Sequence, residues 1–316
     1  MKVLVTGGAG FIGHNVIRIL EQQGHECVVL DTCTDYGFIP EEELDYLITN
    51  RLTRIKAKIR LIDIREGTFI DTIFKTYEPD VVIHMASFPR QKVVEQNPVL
   101  ASDVMSTGLV NLLEKSKQYK VKKFVYISSS MVYGDFNLYG HEDMTCNPKG
   151  IYGILKLAGE SLTRDHCERA GIEYTIVRPS AVYGPKDVLD RVVSQFLSAA
   201  MKNEELHVCG KNELLDFTYI DDCVDGIARA ALSTKSNGKT YNVTRGHSRS
   251  LLEAAEVAVS VVGSGKIVIA DANPRYPSRG TLSNIRAGQD FGHHGKVDIE
   301  EGFKKYYKWL QYFTTP

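Results

Sequence analysis

Thr6-Gly7-Gly8-Ala9-Gly10-Phe11-Ile12-Gly13 decides how this chain is read. The β-branched run Val3-Leu4-Val5 precedes it and residues 11–23 follow with helical periodicity, so the glycines fall in a strand–turn–helix unit. Glycine at these places permits a tight turn and lets backbone approach a bound group, while the amide end of the helix favours negative charge. A dinucleotide pyrophosphate suits that arrangement. The second strand, Glu26 to Leu30, is closed by Asp31. A carboxylate there accepts hydrogen bonds from the adenosine ribose hydroxyls and repels a 2′-phosphate, which favours NAD over NADP.

Outward from that unit the same rhythm continues. Arg60-Leu61-Ile62 predicts a third strand, residues 66–76 a helix, and Val81-Val82-Ile83 a fourth strand. A long helix follows over about 97–118, then a strand from Phe124 to Ile127, a helix over about 152–170 and the strand Tyr174-Thr175-Ile176-Val177. Such alternation predicts an α/β fold, a Rossmann-type doubly wound parallel sheet over residues 1–178 that binds NAD. The stretch 33–58 is longer than an ordinary βα connection and is expected to carry its own helix, without an assigned function.

After Pro179 the rhythm loosens. A helix over about 187–202, short strands near 206–208 and 216–220, and helices over about 222–232 and 298–312 predict a smaller C-terminal lobe. Residues 179–316 are thus expected to be mainly substrate-binding, with Tyr241-Asn242-Val243 (near 240–244) returning to the main sheet. The absence of repeats and of a Pro/Ser-rich linker predicts closely packed lobes.

Bulk composition narrows the partners. The chain has 316 residues, 43% of them hydrophobic, enough for a substantial core. With 38 basic against 39 acidic residues, nothing points to nucleic acid or an anionic membrane as partner. The opening Met1 to Thr6 runs straight into the glycine turn and no apolar run spans a bilayer, so a cytoplasmic protein is expected. Cys27, Cys33, Cys146, Cys167, Cys209 and Cys223 lack ligand or disulfide spacing, and His293-His294 reads as a solvated loop; no metal site is expected.

Three further segments belong together: Ile127-Ser128-Ser129-Ser130-Met131-Val132-Tyr133-Gly134, Tyr152-Gly153-Ile154-Leu155-Lys156 and Arg178-Pro179-Ser180-Ala181-Val182-Tyr183-Gly184-Pro185. The first begins at a strand's C-terminal end, where open α/β sheets place ligands. In the second, (i, i+4) spacing sets Tyr152 and Lys156 on one helical face. A phenol titrates near ~10, and an adjacent ammonium together with a positive nicotinamide ring favours its phenolate. Tyr152 then takes a proton from a substrate hydroxyl as hydride leaves the same carbon, and Ser129 holds that oxygen.

The ordered set TGGAGFIG, strand-end Asp31, LIDI, HMAS, SSSxVYG, YxxxK, RPSxVYGP and DFTYIDD resembles the extended short-chain dehydrogenase/reductases, specifically their nucleotide-sugar epimerase/dehydratase branch. The motifs are specific from residue 1 to about 232. The resemblance implies that Gly7, Gly10, Phe11, Ile12, Gly13, Asp31 and Ser128 bind the cofactor and that Asp63 and Ile64 flank its adenine. Met85, Ala86 and Ser87 pass along it, with Pro179 near the nicotinamide. It also puts the catalytic Ser/Thr, Tyr and Lys on Ser129, Tyr152 and Lys156, and implies a homodimer through helices 97–118 and 152–170.

Departures from the pattern narrow the activity. The 4,6-dehydratases follow the Ser/Thr with an Asp-Glu pair, and fucose-synthase-type 3,5-epimerases place a Cys second; this chain has Ser130 and Met131, and a thioether is neither acid nor base. What remains is oxidation at one carbon, rotation of the keto intermediate and hydride return, which is 4-epimerisation. Leu215, Ala181 and Met105 stand where an Arg, an Asn and another Asn are usual. A diphosphate still needs cations, for which Arg90, Arg191, Arg275 and Arg279 are candidates. Three readings stay open: an NAD-dependent nucleotide-sugar 4-epimerase, a dehydrogenase or reductase of a sugar or other small alcohol, and a non-catalytic cofactor-sensing protein.

Overall fold

The first strand, β1 (Lys2–Thr6), has Val3 and Val5 packed into one apolar core and Leu4 into another. This period-two alternation means that both faces of the sheet are covered. The computed structural model describes residues 1–136, 138–274 and 276–313. β2 (Glu26–Asp31), β3 (Lys58–Leu61), β4 (Val81–His84) and β5 (Lys123–Ile127) join β1, together with the strands Glu173–Pro179 and Lys239–Val243. The seven lie in the order Lys239–Val243, Glu173–Pro179, β5, β4, β1, β2, β3, and every pairing is parallel. Chain order reverses between β1 and β4, so the crevice that binds ligands in such sheets opens at the C-terminal ends of those two strands.

The expected returning strand at 241–243 is the sheet's edge, pairing with Thr175 to Pro179. The third strand lies earlier than Arg60-Leu61-Ile62, at Lys58–Leu61, and Ile62 leaves it. The helix expected over 97–118 is interrupted: Pro98–Ser102 and Gly108–Gln118 are α-helical, and Asp103–Thr107 forms a π turn between them. That turn sets Val104 on the cleft wall and buries Met105 in the core, a place where such turns recur. The helix expected from 187 begins only at Val192, because residues 186–191 form a loop at the cleft mouth. The 33–58 stretch does hold a helix, α2 (Glu41–Leu52). Sequence reading overlooked the helices Leu251–Val262 and Ile285–Phe291.

His293 corrects the reading of a solvated His pair. It is fully buried, with Nε2 at 3.0 Å from the Thr244 carbonyl, and only its neighbour His294 is exposed. Among the described residues no cluster of His, Cys, Asp and Glu could hold a metal ion, and no helix is long and apolar enough to cross a membrane.

His84 sits in mid-sheet with Nδ1 2.7 Å from Thr6 Oγ1, and burial pushes its imidazole down to about 3. The folded chain therefore keeps His84 neutral while the unfolded chain takes up a proton near 6.5. This contribution to stability is complete above pH 6.5 and is lost as pH falls toward 3. Urea unfolding followed between pH 7 and 4 should show that slope, and His84→Asn should reduce it by up to about 1.4 kcal/mol per pH unit; an unchanged slope contradicts the assignment.

Candidate active site

The glycine turn shows why side chains are excluded from it. Gly7 has φ +71°, and a Cβ there would lie 2.6 Å from the Ala86 amide nitrogen; one on Gly13 would lie 2.3 Å from the Gly7 carbonyl oxygen. Helix α1 (Phe11–Gln22) starts at Gly10 without a side-chain cap, so its first amides stay available to a bound anion. Beside it, Asp31 is fixed by its own backbone: Ala9 N–H donates to Oδ2 and Cys33 N–H to Oδ1, both at 2.8 Å. Burial pushes this carboxyl upward and those amide hydrogen bonds oppose the shift. An uncapped helix start, a turn with no room for side chains and an oriented carboxylate fit NAD.

This turn forms one end of a cleft of about 310 Å³. Gly7, Gly10, Phe11, Ile12, Gly13, Asp31, Asp63, Ile64, Met85, Ala86, Ser87, Ser128 and Pro179 all line it. So do Ser129, Tyr152 and Lys156, and so do Arg90 and Arg191. Ser130 and Met131 do not: they are buried behind Ser129. Arg279 reaches Ser130 from outside, and Arg275 lies outside the described residues.

At the cleft floor the Tyr152 phenol and the Ser129 hydroxyl lie side by side, and Ser129 Oγ accepts from Met131 N–H at 3.2 Å. Lys156 Nζ donates to the Ile127 carbonyl at 2.8 Å and stands 5.9 Å from the Tyr152 ring centroid. Sequence reading expects this ammonium to lower the phenol. In the protein alone burial dominates and raises Tyr152, against the neighbouring Ser129 hydroxyl and the charge of Arg191. Burial likewise lowers Lys156 to about 7, with Glu160 opposing it.

Glu160 is a functional residue that the motif reading missed. It lies one turn beyond Lys156 in the helix Gly150–Ala170, fully buried. Ser128 Oγ donates to its Oε1 at 2.6 Å, Arg178 Nε to Oε1 at 2.8 Å and Nη2 to Oε2 at 2.6 Å, and Arg164 Nη2 to Oε2 at 3.0 Å. One carboxylate thus ties the Tyr/Lys helix to the end of β5 and to the strand that delivers Pro179. An acid at (i, i+4) from Lys156 was the available signal. Arg51 of α2 was also missed: it is buried on the cleft wall and donates to the Lys186 carbonyl through Nε and Nη2, at 3.1 and 2.6 Å.

The cationic candidates differ in their partners. Arg90 pairs with Asp190 at 3.0 Å and lies 4.4 Å from the Phe38 ring centroid; Arg191 is 3.5 Å from Asp187. The Nε atoms of both are buried without a hydrogen-bond acceptor. Ala181, where an Asn is usual, has φ +37°. Asn adopts that left-handed region more readily than Ala, which is a backbone reason for the Asn independent of ligands.

Glu160→Gln should leave Arg178 buried without a counter-charge and destabilise the fold by roughly 3–5 kcal/mol in urea titration. A loss below about 1 kcal/mol would show that the carboxylate is not the tie described.

Comparison with known proteins follows the same lines. The pattern of the NAD dependent epimerase/dehydratase family matches residues 3–244. A putative UDP-glucose 4-epimerase of Methanocaldococcus jannaschii is 30% identical over 320 aligned residues, covering 98% of each chain. The crystal structure of UDP-glucose 4-epimerase from Thermotoga maritima with UDP-glucose superposes with a TM-score of 0.90 at 26% identity, covering 100% of both chains. That of UDP-glucuronic acid 4-epimerase from Bacillus cereus with UDP-glucuronic acid and NAD also gives 0.90 at 26% identity, over 99% of this chain and 100% of the other. Glycine turn, strand-end acid and Ser/Tyr/Lys floor thus agree with the sequence match, and the chain belongs to the NAD dependent epimerase/dehydratase family.

Proposed function

We propose that this protein epimerises a UDP-linked sugar at C4, oxidising and re-reducing that carbon with NAD held in the cleft. The observation that carries the reading is that Ser129, Tyr152 and Lys156 line the same cleft as the dinucleotide turn. Similarity to UDP-glucose and UDP-glucuronate 4-epimerases supports it.

When bound, NAD supplies the hydride acceptor and, on the return, the donor. The chain does the proton work. Tyr152 takes the proton of the C4 hydroxyl, Ser129 holds that oxygen as it becomes a carbonyl, and Lys156 adds positive charge that favours the phenolate. Tyr152 returns the proton after the keto sugar has turned its other face. Met131, buried beside Ser129, offers no acid for dehydration. Arg90, whose Nε–H has no acceptor, and Arg191, whose Nε stands 3.5 Å from Asp187, both line the cleft wall and are suited to the diphosphate.

A second copy of the chain is proposed as partner. Val99, Val110, Ile151 and Ile154 are exposed apolar residues on two helices, 98–118 and 150–170, that pack side by side. Pairing them across a two-fold would bury that face in a four-helix arrangement. Sedimentation at micromolar concentration should give a dimer, and Ile154→Glu a monomer; a monomeric parent protein contradicts this.

Purified protein with NAD should convert a UDP-sugar to its C4 epimer by NMR without net NADH, and Tyr152→Phe should slow turnover by about 10²–10⁴-fold. Stoichiometric NADH would instead make it a dehydrogenase, the reading that Leu215 in place of an Arg encourages.

A further inference from the structure

The long connection after β2 reaches across the cleft to the loop 186–191. From α2, Arg51 donates through Nε and Nη2 to the Lys186 carbonyl at 3.1 and 2.6 Å. Its Nη1 lies 3.5 Å from the carbonyl of Ala9 in the glycine turn. Lys186 Nζ donates in return to the Asn50 carbonyl, and Glu43 Oε1 accepts from Leu189 N–H at 2.8 Å. One helix thus grips the loop that carries Arg191 at three points.

The segment ahead of α2 adds a second set of ties. Arg90 and Lys92 lie 4.4 and 4.8 Å from the Phe38 ring centroid. Arg90 in turn donates to the Asp190 carbonyl at 2.8 Å and pairs with its carboxylate at 3.0 Å. Tyr36 has φ +66°, a left-handed conformation that disfavours a bulky side chain, and its ring stacks on buried Phe88 at 3.7 Å. Phe38, Arg51, Phe88, Arg90, Val188 and Arg191 all line the cleft. Residues 36–52 therefore join the wall that carries Asp31 to the wall that carries Arg191. The ties are hydrogen bonds, an ion pair and cation–π contacts, each of modest strength. A strap built this way can open locally while the sheet beneath it stays folded.

We propose that this strap opens for NAD to enter or leave, and that a nucleoside diphosphate bound at Arg191 holds it shut. The second half rests on the diphosphate role given under Proposed function. A ligand that binds Arg191 where it now stands stabilises the tied loop by as much as it prefers that arrangement over the open one. NAD then leaves between substrates, and the cofactor that has taken a hydride from the sugar stays until it has returned it. If the strap instead only shapes the site, its loss lowers turnover and leaves cofactor release unchanged.

The test is the rate at which NADH leaves the loaded protein, followed by the loss of bound-NADH fluorescence after mixing with excess NAD. Glu43→Ala and Phe38→Ala, both at half-buried positions, should each speed release by about 10-fold, the size expected for losing one charge-assisted tie. C4 turnover by Glu43→Ala at saturating NAD should be unchanged. Saturating UDP should slow release from the parent protein by about 10-fold, and this slowing should shrink toward none in Glu43→Ala. Release at the parent rate in both variants, or release that UDP leaves unchanged, overturns the proposal. So does a loss of turnover without faster release. Failure of the epimerase reading shows separately, as absent C4 turnover by the unaltered protein, and leaves the release rates of the two variants to decide the strap.

Discussion

A single buried carboxylate, Glu160, fixes the geometry on which the site depends. Its two oxygens accept from Ser128, Arg178 and Arg164, and it lies one turn from Lys156. The Tyr152/Lys156 helix, the β5 end that carries Ser129 and the strand that ends at Pro179 therefore meet at one point. The juxtaposition of a serine hydroxyl and a phenol from two separate elements is easily misaligned by small shifts of either backbone. Anchoring both backbones to one desolvated ion pair restricts such shifts, because moving either element would expose an unpaired charge inside the protein.

The two ends of the cleft meet opposite electrostatic demands. The glycine turn and the uncapped start of α1 offer amide donors to a dianionic pyrophosphate. The floor is buried, and burial there disfavours charge on Tyr152 and Lys156 alike. The protein alone keeps its phenol protonated, so ionisation is tied to positive charge near the floor, from Lys156, Arg191 and a bound nicotinamide. Coupling the base to an occupied cleft guards against unproductive proton transfer.

Much of the fold was legible because it follows from local rules. Two-residue alternation, helical period and a glycine turn place β1, α1, β2, β4, β5 and the 150–170 helix within a few residues of where they lie. The seventh strand was readable from Tyr241-Asn242-Val243. The motifs also gave the residues that the structure gathers along one cleft, from the glycine turn to Tyr152 and Lys156. What was hidden depends on tertiary partners. The π turn at Asp103–Thr107 leaves the hydrophobic pattern unchanged, and the burial of His293 depends on a carbonyl at Thr244. Arg51 lies in a stretch without a motif and gains its meaning from the loop at Lys186.

The central claim is that one carbon is oxidised and reduced again inside one cleft. A UDP-sugar deuterated at C4 tests it most directly, incubated with the NAD-loaded protein and excess unlabelled NADH. The account predicts that the C4 epimer forms with its deuterium still at C4. Deuterium lost from C4 and recovered in free NADH would contradict it, because the cofactor would then be exchanging as a co-substrate.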